Sequence, residues 1–170
     1  ADTAYDEKMF AVGKRLVTKI YNASKFVLGQ EAPVGPIVNE LDRAFIAELA
    51  TVVDRATKSF DGYEYSRALQ EIESFFWTSF TDNYLELVKR RTRTEDDLEG
   101  RASAVAALRV ALSAVLRMFA PITPTITDEV WSWGFDGETG KKSIHIADWP
   151  STDEFASIPA PEKPESFQAA

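Results

Sequence analysis

YEYSRALQEIESFFWTSFTDNYLELVKRR, residues Tyr63 to Arg91, is the stretch whose reading decides the fold. Leu69, Ile72, Phe76, Phe80, Tyr84 and Leu87 recur three and four residues apart, which lays them along one face of a helix with about 3.6 residues per turn. A second stripe runs beside the first through Trp77, Tyr84 and Val88, with Phe75 at its margin. The combined apolar face is wider than a helix lying on a surface needs, so this helix is expected to touch two or three neighbours. It ends on Lys89, Arg90, Arg91 and Arg93. Cations there pair favourably with the negative end of the helix dipole. The same cluster is also a basic edge able to meet phosphates.

Upstream, Asp42 to Phe60 reads as a second helix. Asp42 is placed to cap it, and Leu41 and Ile46 occupy the two positions of a hydrophobic staple. Phe45, Leu49, Val52, Ala56 and Phe60 form its buried stripe. Asp61–Gly62 is a short turn, and a short turn between two long amphipathic helices makes an antiparallel hairpin. Asp6 to Leu28 is a further helix with Asp6 as N-cap and an apolar line through Met9, Val12, Leu16, Ile20, Ala23 and Val27. Its polar side carries Lys14, Arg15, Lys19, Asn22 and Lys25, several of them on one exposed face. Such a face is either plain solvated surface or a basic strip that lies against a phosphate backbone. Gly29 ends this helix, and Gln30 to Leu41, with Pro33, Gly35 and Pro36, is expected to be loop.

Downstream, Thr92 to Gly100 reads as an acidic loop and Arg101 to Phe119 as a fourth helix. Val105, Leu108, Leu112, Val115 and Phe119 point inward, and many alanines keep that helix slim. Ala120–Pro121 ends it. Thr123 and Pro124 supply an N-cap and a first-position proline for a short fifth helix reaching about Trp133. Residues 134–140 are expected to be loop and Ser143 to Ile146 a short extended segment. After Pro150 the composition turns to Pro, Glu, Ser and Ala, a tail ordered only where it packs. The expected architecture is all-α: an antiparallel bundle of four long helices plus a short fifth over residues 1–150, with a small irregular C-terminal extension over 151–170.

Composition narrows the chemistry. The 170 residues include no Cys and a single histidine, His145. Disulfides, thiolate metal sites and His clusters are therefore excluded, and His145 reads as a surface or hydrogen-bonded residue. With 45% hydrophobic and 12% aromatic residues the chain can bury a substantial core. No run of about 18 apolar residues suggests a membrane span, and the opening ADTAYDEK lacks the features of a signal peptide. The expected location is the cytoplasm. The formal net charge of −8 argues against non-specific nucleic-acid binding, but the charge is uneven. Acidic residues gather at Glu95–Glu99, Asp128–Glu138 and beyond Asp153, whereas Lys8 to Lys25 is net basic. No phosphate-cradling Gly-rich loop and no nucleophile beside a base is present. Asp82 and Glu86 form an i, i+4 carboxylate pair with no matching partners elsewhere, so a di-iron bundle is not expected.

Four stretches taken together resemble a known family. GKRLVTKIYNASKFVL (Gly13–Leu28), FFWTSFTDNYLELVK (Phe75–Lys89), LRMFAPITPTITDEVW (Leu116–Trp131) and SIHIADWP (Ser143–Pro150) are similar, in that order, to the anticodon-binding domain of class I aminoacyl-tRNA synthetases, most closely the valyl-tRNA synthetases. The opening DTAYDEK also resembles the segment that follows the catalytic domain in that family. The resemblance implies a helical bundle that binds the anticodon stem-loop of tRNA, with valine tRNA the expected partner. The whole enzyme would use ATP to activate valine and attach it to tRNA. This chain carries no catalytic residues of that kind, no cofactor or metal of its own is expected, and the missing catalytic domain is an expected partner.

Sequence-specific RNA recognition stacks unpaired loop bases on aromatic or Arg planes and hydrogen-bonds their edges. On that reading Lys14, Arg15, Lys19 and Lys25 are the candidates for phosphates and Asn22 for a base edge or ribose. Lys89, Arg90 and Arg91 are a second phosphate cluster. Phe26 and Tyr84 are candidate stacking aromatics, each with a competing place in the core, and Trp131, Trp133 and Trp149 are candidates to cap one end of the bundle. The alternatives are a helical protein-interaction domain without RNA binding, the same domain from an isoleucyl- or leucyl-type enzyme, and a free-standing enzyme, for which no catalytic set is visible.

Overall fold

The computed structural model describes the backbone of residues 2–168 and the side chains of residues 13–168. Its helices are α1 (Asp2–Leu28), α2 (Glu40–Asp61), α3 (residues 65–88), α4 (Leu98–Phe119), α5 (Pro124–Trp131) and the single turn α6 (Asp136–Thr139). Tight 3₁₀ turns occur at Arg91–Arg93, Ile144–Ile146, Thr152–Phe155 and Pro164–Ser166, and no strand occurs among the described residues. The all-α bundle is the expected class. Asp6 lies inside α1 rather than capping it, because the helix already begins at Asp2. The apolar positions assigned to Met9 and Val12 lie outside the described side chains.

Helix α4 occupies the centre. All its alanines but Ala102 are buried, as are Ser103, Leu108, Leu112, Leu116 and Phe119, and α1, α2, α3 and α5 all pack against it. Small side chains let those neighbours approach closely. Where the loop after α1 crosses α4, Gly35 N–H donates to the Ala102 carbonyl at 3.4 Å, and a Cβ on Gly35 would stand 2.9 Å from the Ala102 Cβ. Any larger residue there would push the loop outward. By length and hydropathy α4 could cross a membrane, but most of it is buried inside the bundle, as for the core helix of a globular domain.

Helices α2 and α3 form the expected antiparallel hairpin. The turn is longer than expected: Tyr63 adopts the left-handed conformation, with φ 62°, and α3 starts at Tyr65. Phe45 of α2 lies stacked 3.8 Å from the Tyr84 ring and 5.7 and 5.8 Å from Phe75 and Phe80. The tail joins this cluster. Phe167 is buried and meets Phe45 edge-on at 5.5 Å, while Phe155 is buried further along the same chain segment. Residues 151–168 thus pack on the bundle through two phenylalanines.

Helix α3 is not a uniform α-helix. Tyr65–Ser74 is α-helical, Phe75–Tyr84 is a π-helix, and Leu85–Val88 returns to α. Wide π-turns are rare and cluster at functional sites. The apolar spacing explains this one. Ile72, Phe76, Phe80, Tyr84 and Val88 are each four residues apart and all are fully buried. On an α-helix such a run drifts by about 40° at every step. Widening the turn keeps all five on one line. It also shifts the phase beyond Tyr84, so Leu87, expected inside, is 39% exposed and Leu85 is buried instead.

Several local expectations change for identifiable reasons. Asn39, not Asp42, caps α2, its side chain accepting from Leu41 N–H at 3.0 Å. With the cap moved upstream, Leu41 and Ile46 no longer hold the staple positions. Asp97 caps α4, accepting from Gly100 N–H at 2.9 Å, so that helix starts before Arg101. Pro124 stands at the start of α5 as expected, but the Thr123 side chain bonds back to the Phe119 carbonyl and does not cap. Helix α5 ends at Trp131, the loop beyond it contains α6, and Ser143–Ile146 is a 3₁₀ turn rather than extended. The Asp128 carboxylate holds that turn by accepting from Ser143 Oγ and Ile144 N–H, and these bonds, the Ser143 hydroxyl first, keep its pKa below the usual aspartate value.

Candidate nucleic-acid interface

Burial of Leu16, Ile20, Ala23 and Val27 fixes how α1 rolls on the bundle. That roll turns Lys14, Arg15, Asn22 and Lys25 outward, with Lys19 half-buried at the border with α3. The π-segment supplies the opposite wall, from which Trp77 and Asp82 reach toward α1. Lys19 Nζ lies 2.9 Å from Asp82 Oδ1 and 4.9 Å from the centre of the Trp77 ring. The result is a shallow groove of about 430 Å³ lined by Lys14, Arg15, Thr18, Lys19, Asn22 and Trp77. Four of the five polar α1 residues singled out in the sequence share this groove, and Lys25 stands further along the same exposed side.

The second basic cluster divides. Lys89, Arg90 and Arg93 line an open groove of about 550 Å³ with Glu86 and Thr94. Lys89 Nζ is held there 3.0 Å from Glu86 Oε1. Arg91 turns the other way. Its guanidinium pairs with the Asp42 carboxylate at 2.6 Å, and Asp42 is completely buried. The same carboxylate accepts from Tyr84 Oη at 2.6 Å and Ser103 Oγ at 2.7 Å. Ser103 Oγ in turn accepts from Val38 and Asn39 N–H. Four segments are knotted together at this carboxylate.

Two candidates are thereby corrected. Arg91 is committed to a buried carboxylate and is not available to phosphate in this arrangement. Tyr84 has no exposed surface, its ring is stacked on Phe45 and its hydroxyl is on Asp42, so no base can reach it. Burial first, and then the Asp42 charge, push the Tyr84 phenol well above its usual pKa, so it stays a donor. Phe26 is half-buried against the core with part of its ring open. Trp131 is buried, its indole N–H donating to the Lys141 carbonyl, and Trp149 donates to Thr57 Oγ1 while meeting Phe60 edge-on. Trp133 remains 39% exposed. His145 is exposed.

Sequence reasoning did not assign Thr18 and Trp77 to the groove they line, nor Asp82 to the pair with Lys19 at its edge. Trp77 was placed in a core stripe and Asp82 only in a pair with Glu86. The signal for both was the run of four-residue spacings, which widens α3 where they stand. Among the described residues no group of three or more His, Asp or Glu side chains converges to hold a metal ion.

Residues 42–170 match the family model for the anticodon-binding domain of tRNA ligase. The chain is 49% identical over 159 residues to a valine–tRNA ligase of Thermobifida fusca (strain YX), covering 91% of this chain and 17% of the relative. It is 45% identical over 157 residues to that of Cutibacterium acnes, covering 90% and 17%, and 39% identical over 158 residues to that of Anaplasma marginale, covering 91% and 19%. The chain therefore spans less than a fifth of the length of these relatives.

Proposed function

Because this chain belongs to the anticodon-binding domain family of tRNA ligases, we propose that it binds the anticodon stem-loop of valine tRNA as one domain of a cytoplasmic enzyme that uses ATP to join valine to that tRNA. The single observation that carries the reading is the groove between α1 and the π-segment, where three cations, an amide and an indole share one concave surface. Lys14, Arg15, Lys19 and Lys25 are assigned to phosphates and Asn22 to a base edge or ribose, with Lys89 and Arg90 a second phosphate contact. Phe26 stays a candidate for stacking. The catalytic domain of the longer protein would supply the chemistry and further tRNA contacts.

The test is a fluorescence-anisotropy titration of a hairpin RNA carrying the valine anticodon, and of an anticodon-swapped hairpin, at low and moderate salt. Binding should weaken steeply with salt, because each phosphate neutralised releases counterions. Lys19→Ala should lower the slope of log K against log salt by about 1 and weaken both hairpins equally. Absence of binding even at low salt would move the reading to a protein-interaction bundle, which the net charge of −8 favours.

A further inference from the structure

Stacking an unpaired base needs an exposed aromatic face, and Tyr84 has none. Trp77 has one face covered by the Lys19 ammonium group. On the other flank of α1, Tyr21 and Trp133 are 42% and 39% exposed, and their rings meet edge-to-face, centres 5.4 Å apart and planes at 84°. They come from different elements, α1 and the turn after α5. The Trp133 indole N–H is already used, 3.3 Å from Glu129 Oε1, which fixes the ring and leaves its π surface as the available feature.

What surrounds the pair decides its ligand. Around the axis of an α-helix, Lys14 and Lys25 fall within about 40° of Tyr21. Both are exposed, and neither forms an ion pair among the described residues. Along both helices a groove of about 820 Å³ opens, with Val17, Ile122, Pro124 and Ile126 among its lining residues, Lys14 and Thr125 beside them, and Glu129, which holds the Trp133 indole, as its one acidic residue. An apolar slot next to exposed rings and two cations has the chemistry of a splayed nucleotide: a base on the rings, phosphates on the ammonium groups. A second exposed aromatic pair sharpens the point. Tyr63 and Tyr65 also meet edge-to-face, at 6.3 Å, but the cations flanking them in the chain, Lys58 and Arg67, are already paired with Asp54 and Glu64.

We propose that Tyr21 and Trp133 form the platform on which an unpaired loop base of the RNA stacks, with Lys14 and Lys25 meeting the flanking phosphates and the groove between α1 and α5 taking the adjoining nucleotide. The assignment rests on the RNA-binding reading above and extends its surface across the crest of α1.

The experiment uses the intact chain and a hairpin RNA with 2-aminopurine in its loop, whose fluorescence is quenched on stacking. Tyr21→Ala and Trp133→Ala should each weaken binding roughly five- to a hundredfold and reduce the quenching. The salt slope should stay unchanged, because no charge is removed. Tyr21→Phe should bind like the parent, and Tyr63→Ala should have no effect. Circular-dichroism melts check that the variants are folded. Parent-like affinity and quenching in both alanine variants would overturn the platform while leaving the RNA reading intact. A duplex without a loop losing as much affinity as the hairpin would also overturn it. Failure of the parent chain itself to bind the hairpin at low salt would overturn both.

Discussion

Two acid–base pairs in this bundle use nearly the same groups in opposite settings. Asp42 and Arg91 meet at 2.6 Å, with the carboxylate fully buried and the guanidinium side chain 18% exposed. Asp82 and Lys19 meet at 2.9 Å, with 63% and 31% of their side-chain surface exposed. Each pair sits beside an aromatic of α3, Tyr84 in the first case and Trp77 in the second. Burial makes the difference. The inner pair has lost its water and is closed by two hydroxyl donors, so its members are committed. The outer pair keeps its water, its attraction is screened, and its cation can be exchanged for a better anion. One constellation locks the bundle, and the other leaves a cation at the edge of a groove.

Breaking the inner pair should produce the largest effect. Asp42→Ala leaves Arg91 without its carboxylate and strips Tyr84 and Ser103 of their acceptor. Removing one partner of a buried pair costs about 3–5 kcal/mol, a large part of the stability of a domain this size. Urea denaturation should show that loss as a lower midpoint. A loss below about 1 kcal/mol would mean that water reaches the site, and would erase the contrast between the pairs.

Tyr84→Phe probes the same knot with a gentler change. The missing hydroxyl should cost about 1–2 kcal/mol near neutral pH. The pH dependence gives a cleaner signature. Burial, then Asp42, raise the folded-state pKa of Tyr84 above the ordinary 10.0. Between the two values the unfolded chain binds fewer protons than the folded one, so stability falls as pH rises. The contribution is fully present below pH about 10 and is lost as pH climbs toward the raised folded value. Denaturation midpoints measured from neutral to strongly alkaline pH should drop less steeply for Tyr84→Phe than for the parent. Parallel curves would show that the phenol is not held in its neutral form by the fold.

The contrast also shows how much the sequence could say. The apolar lines of α1 and α2 and the hairpin between α2 and α3 were readable because each depends on spacing within one segment. The crowding of Lys14, Arg15, Lys19 and Asn22 into one groove was partly readable, since they share one side of one helix. Asp42 was misread because an aspartate at a helix start looks the same whether it caps or is buried. Its partners lie 42, 49 and 61 residues away, beyond any local pattern. Arg91 was misread with it, since a terminal arginine gives no local sign of turning inward. Trp77 and Asp82 were legible only to a reader who took four consecutive four-residue steps as a wide helix. Tyr21 and Trp133 needed the packing of α5 on α1, which no spacing encodes.

The smallest expected effect is the most informative about the outer pair. Asp82→Asn removes the charge opposite Lys19 while keeping the shape of the side chain. An exposed pair is worth at most about 1 kcal/mol, so stability should barely move. Affinity for the anticodon hairpin should rise, because a negative charge leaves the groove and Lys19 no longer has to be drawn from a carboxylate. At about 4 Å in water one charge interaction is worth about 1 kcal/mol, which corresponds to roughly a two- to fivefold gain at low salt. Screening should erase the gain as salt rises, since Asp82 is well exposed and Lys19 is partly so. The opposite result, weaker binding by Asp82→Asn at every salt concentration, would give the carboxylate a different job. It would then be accepting a hydrogen bond from an amino group on a base edge, and the outer pair would be read as a place where the carboxylate, rather than the lysine, changes partner.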